Sequence, residues 1–116
     1  MENNVNTRLY GMLGFAMRAG KVIVGTDSVC SAMAKTKKPC LVLIAHTASE
    51  ATKKKLLTKA EFYGVEAVII DVDSDELGRR LGKLYAPATV AVVDDRFAEE
   101  IRRAIGAEQS KIDEIN

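Results

Sequence analysis

Residues 40 to 45 read CLVLIA, six positions in a row without a charge and with a single thiol as the only polar side-chain group. A strand with one solvated face alternates apolar and polar residues. A run this continuous must be covered on both faces, so it asks for a sheet with helices above and below it.

The rest of the chain supplies those helices. Leu9, Met12, Leu13 and Ala16 fall at i, i+3, i+4 and i+7, which predicts a helix over residues 7 to 19 with Gly20 as its stop. Lys21 to Val24 reads as a short strand, and residues 27 to 36 as a second helix ended before Pro39. After the 40–45 strand, Ser49 and Glu50 give an N-cap and a first-turn acid for a helix running to about Tyr63, with Gly64 beyond it. AVIID (67–71) is a third strand, Ser74 or Asp75 caps a short helix through Leu81, and TVAVVD is the fourth strand. Asp95 caps a last helix with Phe97, Ile101 and Ile105 facing inward and Gly106 as its stop. The expected fold is a three-layer α/β/α sandwich with a four-stranded mixed sheet and about five helices. Residues 1–106 form the single domain, and 107–116 form a polar, flexible tail.

Composition narrows the function classes. At 47% apolar and 28% charged, a chain of 116 residues carries one ordinary core and is not a disordered segment. With three Phe, three Tyr and no Trp, that core has to be aliphatic. No apolar run approaches the roughly 18 residues that span a bilayer, and no secretory signal precedes the cysteines. A cytoplasmic protein with reduced thiols and no membrane partner is therefore expected. Net charge is only +1, but it is divided: residues 1 to 60 hold ten Lys/Arg against three Asp/Glu, and residues 61 to 116 hold seven against thirteen. The division reads either as a basic face within a neutral molecule, which would meet phosphate, or as an accident of how solvated helix faces are distributed.

Catalytic chemistry finds little purchase. The only histidine, His46, follows a strand but has no neighbouring cysteine and no acid partner in sequence. Cys30 and Cys40 share no metal-ligand spacing with each other or with His46, and Cys30 sits among Val29, Ala32 and Met33 like a small buried apolar residue. No phosphate-cradling glycine loop follows any predicted strand, and Gly78 and Gly82 of LGRRLG lie within and at the end of a helix. No catalytic residue, metal site or cofactor is expected. KKKLLTK (53–59) is a solvated helix face or a phosphate-contacting one.

Two junctions stand out instead. In GKVIVGTDSVCSAMAK a strand ends at Gly25, and Thr26, Asp27 and Ser28 precede a helix whose polar face carries Asp27, Ser28, Ser31 and Lys35. Free N–H groups at such a start receive a phosphate or a base edge. The second is Lys83 to Ala88, a loop holding Leu84, Tyr85, Ala86 and Pro87 where solvent favours polar residues. An exposed apolar loop suits a partner surface, and for RNA it suits packing on unstacked bases.

With LGFAMRAGKVIVGTDSV (13–29), LVLIAHTASEATKKKL (41–56) and ELGRRLGK (76–83) followed by TVAVVD, the chain resembles the kink-turn RNA-binding ribosomal protein family of archaeal and eukaryotic large subunits, and within it the small bacterial YlxQ/YbxF type. The resemblance spans about residues 8 to 105. It implies an α/β/α sandwich without catalytic activity that binds structured RNA. A glycine and helix start read sheared G·A pairs, a role that falls here on Gly25, Thr26, Asp27, Ser28 and Ser31. The loop before the last strand covers a flipped-out nucleotide, a role that falls on Leu84, Tyr85 and Ala86. The family's strong binders carry Asn, Glu and Lys where this chain has Asp27, Ser28 and Ser31, and often a lysine where it has Ser74. Fewer cations should weaken binding and flatten its salt slope, with Lys21, Lys35, Lys83 and the 53–59 run left to compensate. The expected partners are structured RNA and the ribosome, bound by a monomer. The alternatives are a protein-interaction module on the same scaffold and, more remotely, a small-molecule enzyme around His46.

Overall fold

The computed structural model describes the backbone of residues 4–115 and the side chains of residues 7–106. Its elements are α1 (Asn4–Arg18), β1 (Val22–Val24), α2 (Thr26–Met33), β2 (Leu41–Ala45), α3 (Glu50–Tyr63), β3 (Ala67–Ile70), α4 (Ser74–Arg80), β4 (Thr89–Val92) and α5 (Asp95–Ile115). The four strands form one mixed sheet in the order β1-β4-β2-β3. β2 and β3 run parallel, with Val42 opposite Ala67 and Ala45 opposite Ile70. β4 runs antiparallel to both of its neighbours, setting Val90 against Val24 on one side and Leu43 on the other.

The apolar run at 41–45 behaves as its composition demands, for all five residues of β2 are fully buried. Leu41, Leu43 and Ala45 pack with Leu9, Leu13, Leu77 and Ile101 of α1, α4 and α5. Val42 and Ile44 pack on the opposite face with Val29, Met33, Leu56 and Ala60 of α2 and α3. Each fully buried aliphatic side chain of this kind contributes roughly 1.5–3 kcal/mol. The only buried polar side chain among the described residues, Thr89, donates its hydroxyl to the Leu43 carbonyl at 2.6 Å.

Several ends differ from the sequence expectation, each for a local reason. α4 is capped by Asp73, whose Oδ1 accepts from the N–H groups of Asp75 (2.7 Å) and Glu76 (3.4 Å), not by Ser74 or Asp75. Ser74 is engaged elsewhere: its N–H donates to Thr47 Oγ1 at 2.9 Å, tying α4 to the turn after β2. The start of α5 is held by Asp94, which accepts from Arg96 and Phe97, rather than by Asp95. α2 ends at Met33 instead of 36, where Lys38 Nζ donates to the Met33 and Lys35 carbonyls at 2.9 Å each. α5 passes through Gly106 to Ile115, since one glycine costs a helix only about 1 kcal/mol. The side chains of the expected 107–116 tail lie outside the described residues.

Among the described residues no helix is long and apolar enough to cross a membrane. Cys30 and Cys40 are free thiols packed at the margins of opposite core faces. Burial, together with a hydrogen bond to Asp95, raises the pKa of the Cys40 thiol.

Candidate functional site

β1 and β2 both run antiparallel to β4, and β3 runs parallel to β2, so β1, β2 and β3 all point the same way. Their C-terminal ends form one rim, where ligands of α/β sheets gather. From that rim start α2, α3 and α4, and to it the loop preceding β4 returns. Backbone bonds stitch the rim together: Gly25 N–H donates to the Thr89 carbonyl (3.0 Å), Ala45 N–H to Ala88 (2.9 Å), and His46 N–H to Ile70 (3.1 Å).

The first junction is built around Gly25, at φ 103° and ψ 146°. An L side chain rarely enters that region. As the residue before α2, Gly25 brings no side chain to its first turn, and no side chain caps that turn. Asp27, Ser28, Ser31 and Lys35 line one shallow hollow with Ile23 and Ala32, the polar face that helical spacing predicts. Thr26 is half-buried beside it. The structure adds a neighbour from another element, Lys55 of α3, whose Nζ lies 3.9 Å from Asp27 Oδ1. Both groups are largely exposed, so the pair is weak as a stabilising contact. Its consequence is electrostatic, because it offsets the negative charge that Asp27 introduces.

The second junction is the loop from Lys83 to Ala88. Lys83, Leu84, Tyr85 and Ala86 line a hollow with Asp75 and Arg79 of α4. Leu84 is fully exposed and Tyr85 is 56% exposed. What holds the loop out is its seat on α4. Gly78 is so close beneath it that an added Cβ would lie 2.3 Å from the Tyr85 carbonyl oxygen and 3.1 Å from Pro87 Cδ. Lys83 N–H also donates to the Gly78 carbonyl at 2.8 Å. Beside the loop, hydrogen bonds from Arg80 and Arg79 hold the Glu76 carboxyl below its usual pKa.

The rim thus brings together Gly25, Thr26, Asp27, Ser28 and Ser31 with Lys83, Leu84, Tyr85 and Ala86, while Lys35 closes the far end of the α2 hollow. Lys21 stands apart. Its carbonyl accepts from Val93 N–H at 2.9 Å, at the end of β1 opposite Gly25. His46 is at the rim and faces Asp71, with Nε2 3.6 Å from Oδ1, a partner that only the β2–β3 pairing supplies. No cluster of three or more metal-ligating side chains occurs among the described residues. Sequence reasoning had Lys55 only within the 53–59 run, without its place beside Asp27, and passed over Gly78 and Arg79 as parts of this rim. Nothing in their spacing signals it, because each reaches the rim through packing between elements.

Residues 7–102 match the family model described as Ribosomal protein L7Ae/L30e/S12e/Gadd45 family. A protein named RNA-binding protein YlxQ from Enterococcus faecium is 32% identical over 106 residues, covering 90% of this chain and 98% of its own. A Bacillus subtilis protein of the same name is 36% identical over 92 residues, covering 79% and 89%. Among solved structures, a Bacillus halodurans protein of unknown function superposes with a TM-score of 0.76 at 28% identity, covering 85% of this chain and 97% of that one.

Proposed function

From a chain that belongs to the L7Ae/L30e/S12e/Gadd45 ribosomal protein family, we infer a non-enzymatic binder of structured RNA that grips a kink-turn-like element. One observation carries the reading: a glycine-led helix start without a side-chain cap and a projecting Leu84–Tyr85 loop share one rim of the sheet. The names of the two YlxQ relatives support it.

The division of labour follows from the chemistry of each part. The first-turn N–H groups of α2 donate to acceptors on the RNA, and the Asp27 carboxylate accepts from guanine or cytosine amino groups. Ser28 and Ser31 add short-range hydrogen bonding without charge. Lys55 offsets Asp27, while Lys35, Lys83 and Arg79 are placed for phosphates. Leu84 covers an unstacked nucleotide, a surface that only bent or looped RNA presents. On this reading the protein is a monomer in the cytoplasm, with the ribosome or another ribonucleoprotein as its host.

The test is a gel-shift titration of the chain with a kink-turn RNA and with a fully paired duplex of the same length. The kink-turn should bind at micromolar protein or below in low salt, the duplex more weakly, and affinity should fall steadily as salt rises. No complex at micromolar protein in low salt would reject the kink-turn reading. Nuclease-insensitive capture of proteins alone would favour the interaction module.

Leu84→Ala separates binding from folding. The side chain is fully exposed, so the melting temperature should not move. Losing the burial of one leucine against RNA should weaken binding by roughly tenfold. Equal affinity for both forms would show that the loop does not touch the RNA.

A further inference from the structure

The two helical layers use their cations differently. On α4 and α5 several arginines are answered by acids: Arg79 and Arg80 hydrogen-bond to Glu76, and Arg103 pairs with Glu99 and Glu100, while on α3 Lys53 alone pairs closely, with Glu50. Arg102 reaches Glu66 and the Cys40 carbonyl. On the α2/α3 side, Lys35, Lys54 and Lys59 have no ion-pair partner among the described residues, and Lys55 has only its 3.9 Å approach to Asp27. Lys55 and Lys59 are one helical turn apart with like charge, which weakens the helix. The fold does not need them there.

The same stripe ends in an aromatic ring. Positions 55, 59 and 62 recur at helical spacing, so Phe62 continues the line of Lys55 and Lys59 along α3. Phe62 is 80% exposed, yet its ring is anchored edge-to-face on Tyr63, with centroids 4.9 Å apart and planes at 88°. Tyr63 in turn packs into the α2/α3 core and carries Lys38 Nζ 5.0 Å above its ring. The stripe begins beside Asp27 at the start of α2, and seven residues at the helical rise carry it about 10 Å away from there.

We propose that the stripe Lys55, Lys59 and Phe62 is a second RNA contact, taking an unpaired strand that leaves the structured element held at the start of α2. Lys55 and Lys59 neutralise its phosphates, and Phe62 stacks on one of its bases. An unpaired strand is the occupant because a duplex hides its base faces, whereas a single strand offers them to an exposed ring. Cations interleaved with an aromatic are how single-strand grooves combine backbone attraction with stacking. This second contact rests on the RNA-binding reading above.

Fluorescence anisotropy with the full chain tests it, using a blunt kink-turn RNA and two versions extended at either end by about six unpaired nucleotides, within the span of a single-strand groove. One extension should tighten binding about tenfold and steepen the salt dependence by somewhat more than one unit, as two further phosphate contacts require. Phe62→Ala should reduce that gain and leave the blunt RNA's affinity unchanged, and Lys59→Gln should reduce the gain as well. Phe62 is 80% exposed and Lys59 has no ion-pair partner among the described residues, so the melting temperatures of both variants should stay close to that of the unaltered chain, which separates a lost gain from lost structure. If neither extension tightens binding, or the gain survives intact in both variants, the second contact is overturned while binding of the structured element stands. If the unaltered chain binds none of the three RNAs, both readings fall together.

Discussion

Gly78→Ala should lower the melting temperature and release the RNA through one methyl group placed beneath the 83–88 loop. The Cβ would stand 2.3 Å from the Tyr85 carbonyl oxygen and 3.1 Å from the buried Pro87 ring. A carbon meets a carbonyl oxygen comfortably at about 3.3 Å or more, so roughly 1 Å must be found. No flexible side-chain end is there to give way; either the 83–88 loop lifts or α4 shifts and draws its own Leu77 out of the core. Overpacking of this kind costs about 1–3 kcal/mol, and each kcal/mol is worth about 4–8 °C in a domain near this size. RNA affinity should fall by more than the tenfold expected of Leu84→Ala, because the variant displaces Leu84, Tyr85 and Lys83 together. Thermal melts beside a kink-turn titration make the check. An unchanged melting temperature would mean that the loop is free to rise, and unchanged affinity that its position is irrelevant to RNA.

Gly25→Ala fails for the opposite reason. Nothing lies within 4 Å of a Cβ there, so space is not the obstacle; the backbone at φ 103° is. Holding an L residue in that region costs about 1–3 kcal/mol. Relaxing it rotates the peptide groups that join Gly25 N–H to Thr89 and the Gly25 carbonyl to Val29 N–H. The end of β1 and the first turn of α2 would move together. Binding should weaken tenfold or more, with a drop in melting temperature comparable to that of Gly78→Ala. A D-alanine at the same position, introduced by chemical ligation, should restore both, since mirror-image stereochemistry favours positive φ. If L- and D-alanine behave alike, backbone strain is not the cause.

How much of this was legible in the sequence depends on the range of the interaction. Contacts within one helical turn could be read. Ser49 caps α3 through Thr52 N–H, and Gly64 ends it at φ 71°, as their residue types announce. Where several capping residues stand in a row, the choice could not be read. In DVDSDE and in DD, adjacent carboxylates compete, and the phase at which the helix meets the sheet selects Asp73 and Asp94. The polar face of α2 followed from its own periodicity. Lys55 beside Asp27 did not, because the two are twenty-eight positions apart and meet only when α2 and α3 pack on one sheet face. Lys21 is the converse case: four positions from Gly25 along the chain, it is the length of a strand away in space. Gly78 was legible as a glycine inside a helix, but not as the seat of a loop.

The order β1-β4-β2-β3 has a consequence in time. The strand at the centre of the sheet is the last to be made, and more than forty residues separate Ala45 from its arrival at Thr89. Until then β1 and β2 border an empty slot and cannot pair with each other. Closing so long a loop is slow, and a partly synthesised chain must wait with both strand edges open. The bond from Gly25 to Thr89 that joins the rim is among the contacts formed only at that moment. Completion of the sheet and closure of the rim therefore arrive together, with only α5 still to dock.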